Sequence, residues 1–251
     1  MLVLSHVSTG YDQKKIVKEI SLTAKSGQVV GIIGPNGCGK TTLLRAISGI
    51  LPYEGSIQMN GEEVSRFKRK RLSTKVALLT QVSEVYFPYT VYETVALGRY
   101  AHQSSLALGL SKKDKTIIED SIVKVGLMDE KDRMINELSG GQLQRVFLAR
   151  TLTQCPEIIL LDEPTNHLDL KHQIELLTYL KEWVKEGHRQ VIAVLHDLNL
   201  VQQFTDEVVL IKEGRLRVKG STAEILSSED LKTAYEMDVK QFMLDTLSKW
   251  Q

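Results

Sequence analysis

The chain has 251 residues, 42% of them hydrophobic, enough to bury a full core without a metal or disulfide staple, as one large α/β domain or one domain with an insertion. Its 32 basic and 31 acidic side chains nearly cancel to a net +1, which gives no general attraction to nucleic acid or anionic lipid. Cys38, within a glycine loop, and Cys155, before Pro156, lie far apart in sequence and show neither a zinc pattern nor a disulfide framework, and a reducing cytoplasmic location fits.

The N-terminal stretch MLVLSHVSTGYDQKK carries no basic region followed by an apolar run and a cleavage site. No window approaches about 18 uninterrupted apolar residues, so the chain is expected to be neither secreted nor membrane-spanning. The first buried strand is VVGII at 29–33. The glycine-rich GPNGCGKTT at 34–42 follows directly and feeds the apolar helix LLRAISGIL. RFKRKR at 66–71 is a solvated turn, since a nucleic-acid surface shows a wider basic footprint with stacking aromatics.

VALL at 76–79 is a second buried strand, and the alternation of strands and helices then stops. From about 82 to 153 the sequence predicts a largely helical insertion: TVYETVALGRY, then a Ser111-x-x-Asp114 capping pattern ahead of Ile118, Ile122 and Val125, then the helix after LSGGQ at 138–142. Strands resume with IILL at 158–161 and VIAVL at 191–195. Between them Leu176, Leu180, Trp183 and Val184 keep helical spacing over 171–186, with Gly187 as the stop. VVLIKEGRLRVKG at 208–220 predicts a hairpin turning at Glu213-Gly214.

The loop from Gly34 to Thr41 matches G-x-x-x-x-G-K-[ST] in the required context, after a strand and before a helix. Its glycines let the backbone wrap a β-phosphate, Lys40 brings a cation to the β- and γ-oxygens, and the Thr41 hydroxyl can ligate Mg²⁺. A buried strand should end beside such a loop in acidic residues, and IILLDEP supplies two. Asp162 would hold the Mg²⁺, and Glu163 is placed to act as general base on the attacking water. LSGGQ is a second set of small residues opening a helix, where unpartnered N–H groups and the helix dipole favour an anion. Two such starts in one chain suggest two phosphate contacts.

With these motifs the chain resembles the nucleotide-binding subunits of ABC transporters over nearly its whole length. The order matches: an aromatic at Tyr11, the phosphate loop, Gln81 after VALLT, LSGGQ, LLDEP, NHLD at 166–169, and His196 after VIAVL. The resemblance implies a P-loop NTPase core with a mainly parallel sheet, an N-terminal antiparallel β part and the helical insertion at 82–153, all in one domain spanning 1–251.

It also implies roles. ATP would lie on Gly34, Pro35, Asn36, Gly37, Cys38, Gly39, Lys40, Thr41 and Thr42, with Tyr11 stacked on adenine. Gln81 would touch both Mg²⁺ and the attacking water, and His196 the γ-phosphate. Ser139, Gly140, Gly141 and Gln142 would close over the ATP of a partner subunit, with Asp169 across the same interface. The protein would then work as a head-to-tail homodimer, peripheral on the cytoplasmic face of the cell membrane. Two permease subunits would dock on the helical insertion, and a substrate-binding protein would act indirectly.

TVYETVALGRYAH and the short C-terminal tail resemble the importer ATPases for iron-siderophore complexes, haem and cobalamin, although Ala101 stands where many members carry Pro. Importers of zinc, manganese or molybdate and the soluble ATPases of iron-sulfur cluster assembly share every ATP motif and stay open. A GTP switch would need an N-K-x-D stretch, which is absent, and DNA-repair ATPases need coiled coils for which the chain has no room. A non-catalytic module would be expected to lose Lys40 or Glu163, and both are present.

Overall fold

The computed structural model describes residues 1–12, 14–80, 88–103, 109–165 and 168–250. It opens with the long strands β1 (Leu2–Tyr11) and β2 (Lys14–Ala24), followed by β3 (Val29–Ile33) and helix α1 (Lys40–Ile47). β4 (Glu54–Met59), β5 (Glu62–Glu63), the short α2 (Arg69–Leu72) and β6 (Val76–Leu79) come next. Among the described residues the elements between β6 and the following strand are helical: α3 (Val91–Ala96), α4 (Lys112–Lys124), α5 (Gly140–Thr153) and 3₁₀ turns. β7 (Ile158–Asp162), α6 (Leu170–Trp183), β8 (Gln190–Val194) and α7 (Leu198–Phe204) lead to the hairpin β9 (Glu207–Lys212) and β10 (Arg215–Ser221). Three helices close the chain: α8 (Thr222–Leu226), α9 (Glu229–Tyr235) and α10 (Val239–Leu247).

Two sheets result. One is antiparallel, in the order β2-β1-β4-β5; the other runs β10-β9-β3-β8-β7-β6, parallel throughout except for β10. The expected α/β class, with a mainly parallel sheet and an N-terminal antiparallel part, is what the structure has. Residues of the parallel strands alternate between two apolar clusters. Val29, Ile33, Ile159, Leu161, Val191 and Ala193 face helices α3 to α7, while Val30, Ile32, Ile158, Leu160, Ile192 and Val194 face α1 and the antiparallel sheet. Burial on both faces is why these strands appear in the sequence as unbroken apolar runs.

Local chemistry sets the ends. Glu213 and Gly214 both have positive φ, 54° and 80°, which makes the β9–β10 connection the two-residue turn whose twist matches the strands. At α4, Ser111 Oγ accepts from Asp114 N at 3.1 Å and the Asp114 carboxylate accepts from Ser111 N at 3.0 Å, closing the predicted capping box. α6 begins at Leu170 and ends at Trp183, short of the predicted 186, because Val184 takes the C-cap and Lys185 N turns back to Glu182 O at 3.0 Å. The basic stretch at 66–71 is exposed apart from half-buried Phe67, and Arg71 pairs with Glu62 at 3.0 Å.

Candidate functional site

The phosphate-loop sequence joins β3 to α1 and is shaped by two glycines. Gly34 has φ 147°, and a Cβ there would lie 2.0 Å from the carbonyl oxygen of Ile211 in β9, so only glycine fits against the hairpin. Gly39, at φ 103°, is the N-cap of α1 and places no side-chain cap on the helix, which leaves its first N–H groups for another acceptor. Lys40 is 6% exposed, and its Nζ donates to the carbonyls of Gly34 at 2.8 Å and Pro35 at 3.0 Å.

β7 delivers the acidic pair. Thr41 Oγ1 donates to Asp162 Oδ1 at 2.9 Å across the gap between α1 and β7. Burial pushes the Asp162 carboxyl above its ordinary range, and the neighbouring Glu163 charge adds to this; the Thr41 hydrogen bond, Arg45 and Lys40 pull the other way. A half-buried carboxylate and a hydroxyl this close form a pair of hard oxygen donors that suits Mg²⁺. Among the described residues no cluster of three His, Cys, Asp or Glu side chains could hold a metal.

Glu163 follows with φ 53°, its N–H donating to Val194 O at 3.2 Å, and its Oε1 lies 2.6 Å from His196 Nε2. Both side chains line one cleft of about 390 Å³ together with Asn36, Gly37, Gly39, Lys40, Thr41 and Thr42. Ile16 of β2 completes the lining. No sequence signal points to it, since it is one apolar position in a strand of mixed burial. The cleft thus gathers a buried cation, a carboxylate, an imidazole and the Thr41 hydroxyl, behind which Asp162 supplies the second oxygen for a divalent ion.

Those of the remaining predicted residues that the structure describes lie outside this lining. Tyr11, at the end of β1, is 38% exposed and accepts from Arg45 Nη1 at 2.8 Å beside α1; it does not line the cleft. Gln81, Asn166 and His167 fall outside the described residues. Ser139 caps α5: its Oγ accepts from Gln142 N at 3.3 Å, and its N–H donates to Gln142 Oε1 at 3.0 Å. Ser139 and Gly140 are exposed, and none of 139–142 lines the cleft.

Asp169 caps α6 by accepting from His172 N at 2.9 Å, which with the ring contact at 2.7 Å holds its carboxyl below the usual range. A Cβ on Gly141 would stand 3.6 Å from His172 Nδ1, so the starts of α5 and α6 are neighbours. Ser139–Gln142 and Asp169 therefore form a second group, away from the cleft. Sequence reasoning missed Gln144, whose Nε2 donates to Pro164 O at 3.0 Å and ties α5 to the turn after Glu163. Its spacing carried no signal beyond a polar residue in an amphipathic helix.

The family model described as ABC transporter matches residues 17–166. The chain belongs to the ATP-binding subunits of ABC transporters. Among the relatives of this ABC subunit is the iron(3+)-hydroxamate import ATP-binding protein FhuC of Bacillus subtilis, 35% identical over 240 residues, which cover 95% of this chain and 89% of FhuC. The hemin import ATP-binding protein HmuV of Rhizobium etli is 40% identical over 243 residues, covering 94% and 90%. The uncharacterized ABC transporter ATP-binding protein YvrA of Bacillus subtilis is 38% identical over 234 residues, covering 93% of this chain but 53% of YvrA, so the chain spans about half of that protein.

Solved structures agree on the fold of the subunit. The ADP conformation of an ATP-binding cassette of an ABC transporter superposes with a TM-score of 0.83 at 22% identity, covering 94% of this chain and 98% of that one. Clostridium perfringens cbiO1, part of the ABC transporter complex cbiONQ, gives 0.77 at 26% identity and 96% coverage of both chains.

Proposed function

We propose that this chain is the ATP-hydrolysing subunit that powers an ABC importer, with an iron chelate, haem or cobalamin as cargo. The observation that carries the ATPase reading is the convergence of Lys40, Thr41 and the Glu163–His196 pair on one cleft, with Asp162 hydrogen-bonded to Thr41 beside it. The import names of FhuC and HmuV support the cargo class.

In this reading the N–H groups at the start of α1 receive the β-phosphate, and Lys40 turns its ammonium from the loop carbonyls to the β- and γ-oxygens. Thr41, Asp162 and Gln81 would hold Mg²⁺, which would screen the charge that builds on the phosphate oxygens. Glu163 accepts a proton from water as the water oxygen bonds to the γ-phosphorus and the bond to the ADP oxygen breaks. His196, 2.6 Å from that carboxylate, holds it in place and can reach the γ-phosphate. The exposed ring of Tyr11 stacks on the adenine, a contact worth about 1–3 kcal/mol.

Ser139, Gly140, Gly141 and Gln142 reach the ATP of a second copy, with Asp169 beside them, which explains why an anion-ready helix start stands exposed away from its own cleft. The γ-phosphate then holds a head-to-tail homodimer closed until hydrolysis removes it. Among the described residues no helix is long and apolar enough to cross a membrane. In the transport role the chain works with two permease subunits, docked on the helical segment 82–153 with the chain on the cytoplasmic face.

The test is Mg²⁺-dependent ATP hydrolysis by the purified chain, lost in Lys40→Ala together with tight ATP binding, and co-purification with membrane permeases. Normal turnover in Lys40→Ala would overturn the site. Co-purification with soluble scaffold proteins instead would favour iron-sulfur cluster assembly.

A further inference from the structure

The family match ends at residue 166, yet the phosphate loop is held from a point far beyond it. The N–H of Gly34, the first residue of the loop, donates to the hydroxyl of Tyr235 at 3.2 Å. Gly34 itself is buried. Its carbonyl accepts from Lys40 Nζ at 2.8 Å, so the ammonium assigned to the phosphates and the Tyr235 hydroxyl grip the backbone groups of a single residue.

Tyr235 is fixed in turn. It is the last residue of α9, and Glu236 caps that helix in the left-handed region at φ 59°. Lys212, at the end of β9, donates to Thr233 O at 2.9 Å and lies 3.4 Å from the Glu236 carboxylate. The same hairpin meets the loop directly, through the Ile211 carbonyl against Gly34 and through Gly214 N donating to Cys38 O at 3.1 Å.

We propose that Tyr235 is a positioning residue for the nucleotide site: its hydroxyl sets the Gly34 peptide, and through it the resting place of Lys40 and the curvature of the phosphate loop. The proposal rests on the nucleotide reading of the cleft. A buried N–H that loses its acceptor keeps its desolvation cost, so without the hydroxyl the Gly34 peptide turns toward another acceptor and carries the Lys40 tether with it. The C-terminal helices are then part of the nucleotide site, acting from beneath the loop.

Tyr235→Phe keeps the ring and removes only the acceptor. The dissociation constants of ATP and ADP should rise together by about three- to tenfold, the worth of one neutral hydrogen bond. KM for ATP should follow while kcat at saturating ATP changes less than about twofold, because the chemistry at Glu163 is untouched. In protein labelled with ¹⁵N-glycine, the Gly34 amide proton should move upfield.

Ile225→Val, which thins the packing of α8 in the same segment, controls for general loosening: it should lower Tm without altering either dissociation constant. Unchanged nucleotide affinity in Tyr235→Phe, or an equal loss in Ile225→Val, would overturn the proposal while leaving the site intact. Failure of the wild type to bind either nucleotide would instead bring down the cleft reading on which it stands.

Discussion

Asp114 offers the sharpest stability test, because one carboxylate ties together the helical segment that carries LSGGQ. Its Oδ1 accepts from Arg99 Nε at 2.8 Å, and its Oδ2 accepts from the Ser111 hydroxyl at 2.6 Å and the Ser111 N–H at 3.0 Å. Arg99 also donates to Thr153 O at 2.7 Å, joining the start of α4 to the end of α5. The side chains of Arg99 and Asp114 are 6% and 13% exposed, so this is a buried pair.

Asp114→Ala leaves the guanidinium buried with the Thr153 carbonyl and the Cys155 thiol for company, and breaking such a pair costs about 3–5 kcal/mol. Hydrogen bonds from Ser111, then from Arg99, hold the Asp114 carboxyl at about 2, down from 3.8. At about 1.4 kcal/mol per pKa unit, some 2 kcal/mol of its contribution is therefore pH-dependent. A folded-state pKa below the unfolded value stabilises fully above pH 4 and is lost as pH falls toward 2.

Urea unfolding followed by fluorescence should thus show Asp114→Ala weakened by about 3–5 kcal/mol at neutral pH. The gap to wild type should shrink by about 2 kcal/mol between pH 4 and pH 2. Arg99→Met with Asp114→Leu should recover most of the loss, since an apolar pair of similar volume avoids the stranded charge. A deficit under about 1 kcal/mol in Asp114→Ala, or a gap that does not narrow on acidification, would refute the reasoning.

Two substitutions bear on catalysis. Glu163→Gln keeps the shape and the reach to His196 but cannot take the proton; hydrolysis should fall about 100-fold or more while ATP binding survives. Size-exclusion chromatography with ATP and Mg²⁺ should show the mutant as a dimer, and a mutant that stays monomeric at saturating ATP would remove the trapped-closure mechanism. Ser139→Arg places a bulky cation where the partner's γ-phosphate would approach, so it should leave ATP binding to the monomer intact and block hydrolysis. Hydrolysis at the wild-type rate would mean that LSGGQ completes no shared site.

Where local chemistry decides, the structure was legible in the sequence. VVGII, VALL and IILL are buried on both faces and so stand out as apolar runs, and Ser111-x-x-Asp114 and Glu213-Gly214 carry their own geometry. β1 and β2 did not stand out, although they are the longest strands. His6 and Glu19 have φ of 50° and 51°, and the β1–β2 register shifts between Leu4 and Val7 and again on either side of Thr9, so no period-two pattern survives. Tyr235 and Gln144 were invisible for another reason. Their partners, Gly34 and Pro164, lie 201 and 20 residues away, and no spacing rule links a helix residue to a loop backbone group at that distance.

The two glycine-rich helix starts differ in how they are finished, and the difference fits the division of labour proposed for them. α1 has no side-chain cap, and its first turn borders a cleft that already contains Lys40, Glu163 and His196. α5 is capped by its own Ser139 and Gln142, and Gln142 Nε2 is held by Glu130 at 3.2 Å, so this start is rigid and exposed before any phosphate arrives. The Gln144 bond to Pro164 O then makes α5 a lever on the turn that follows Glu163. A phosphate captured at Ser139 from a second copy would pull on α5, and the pull would arrive one residue from Glu163, the carboxylate proposed as general base in the first. Each ATP would in this way be sensed by the catalytic turn of the subunit that does not hold it.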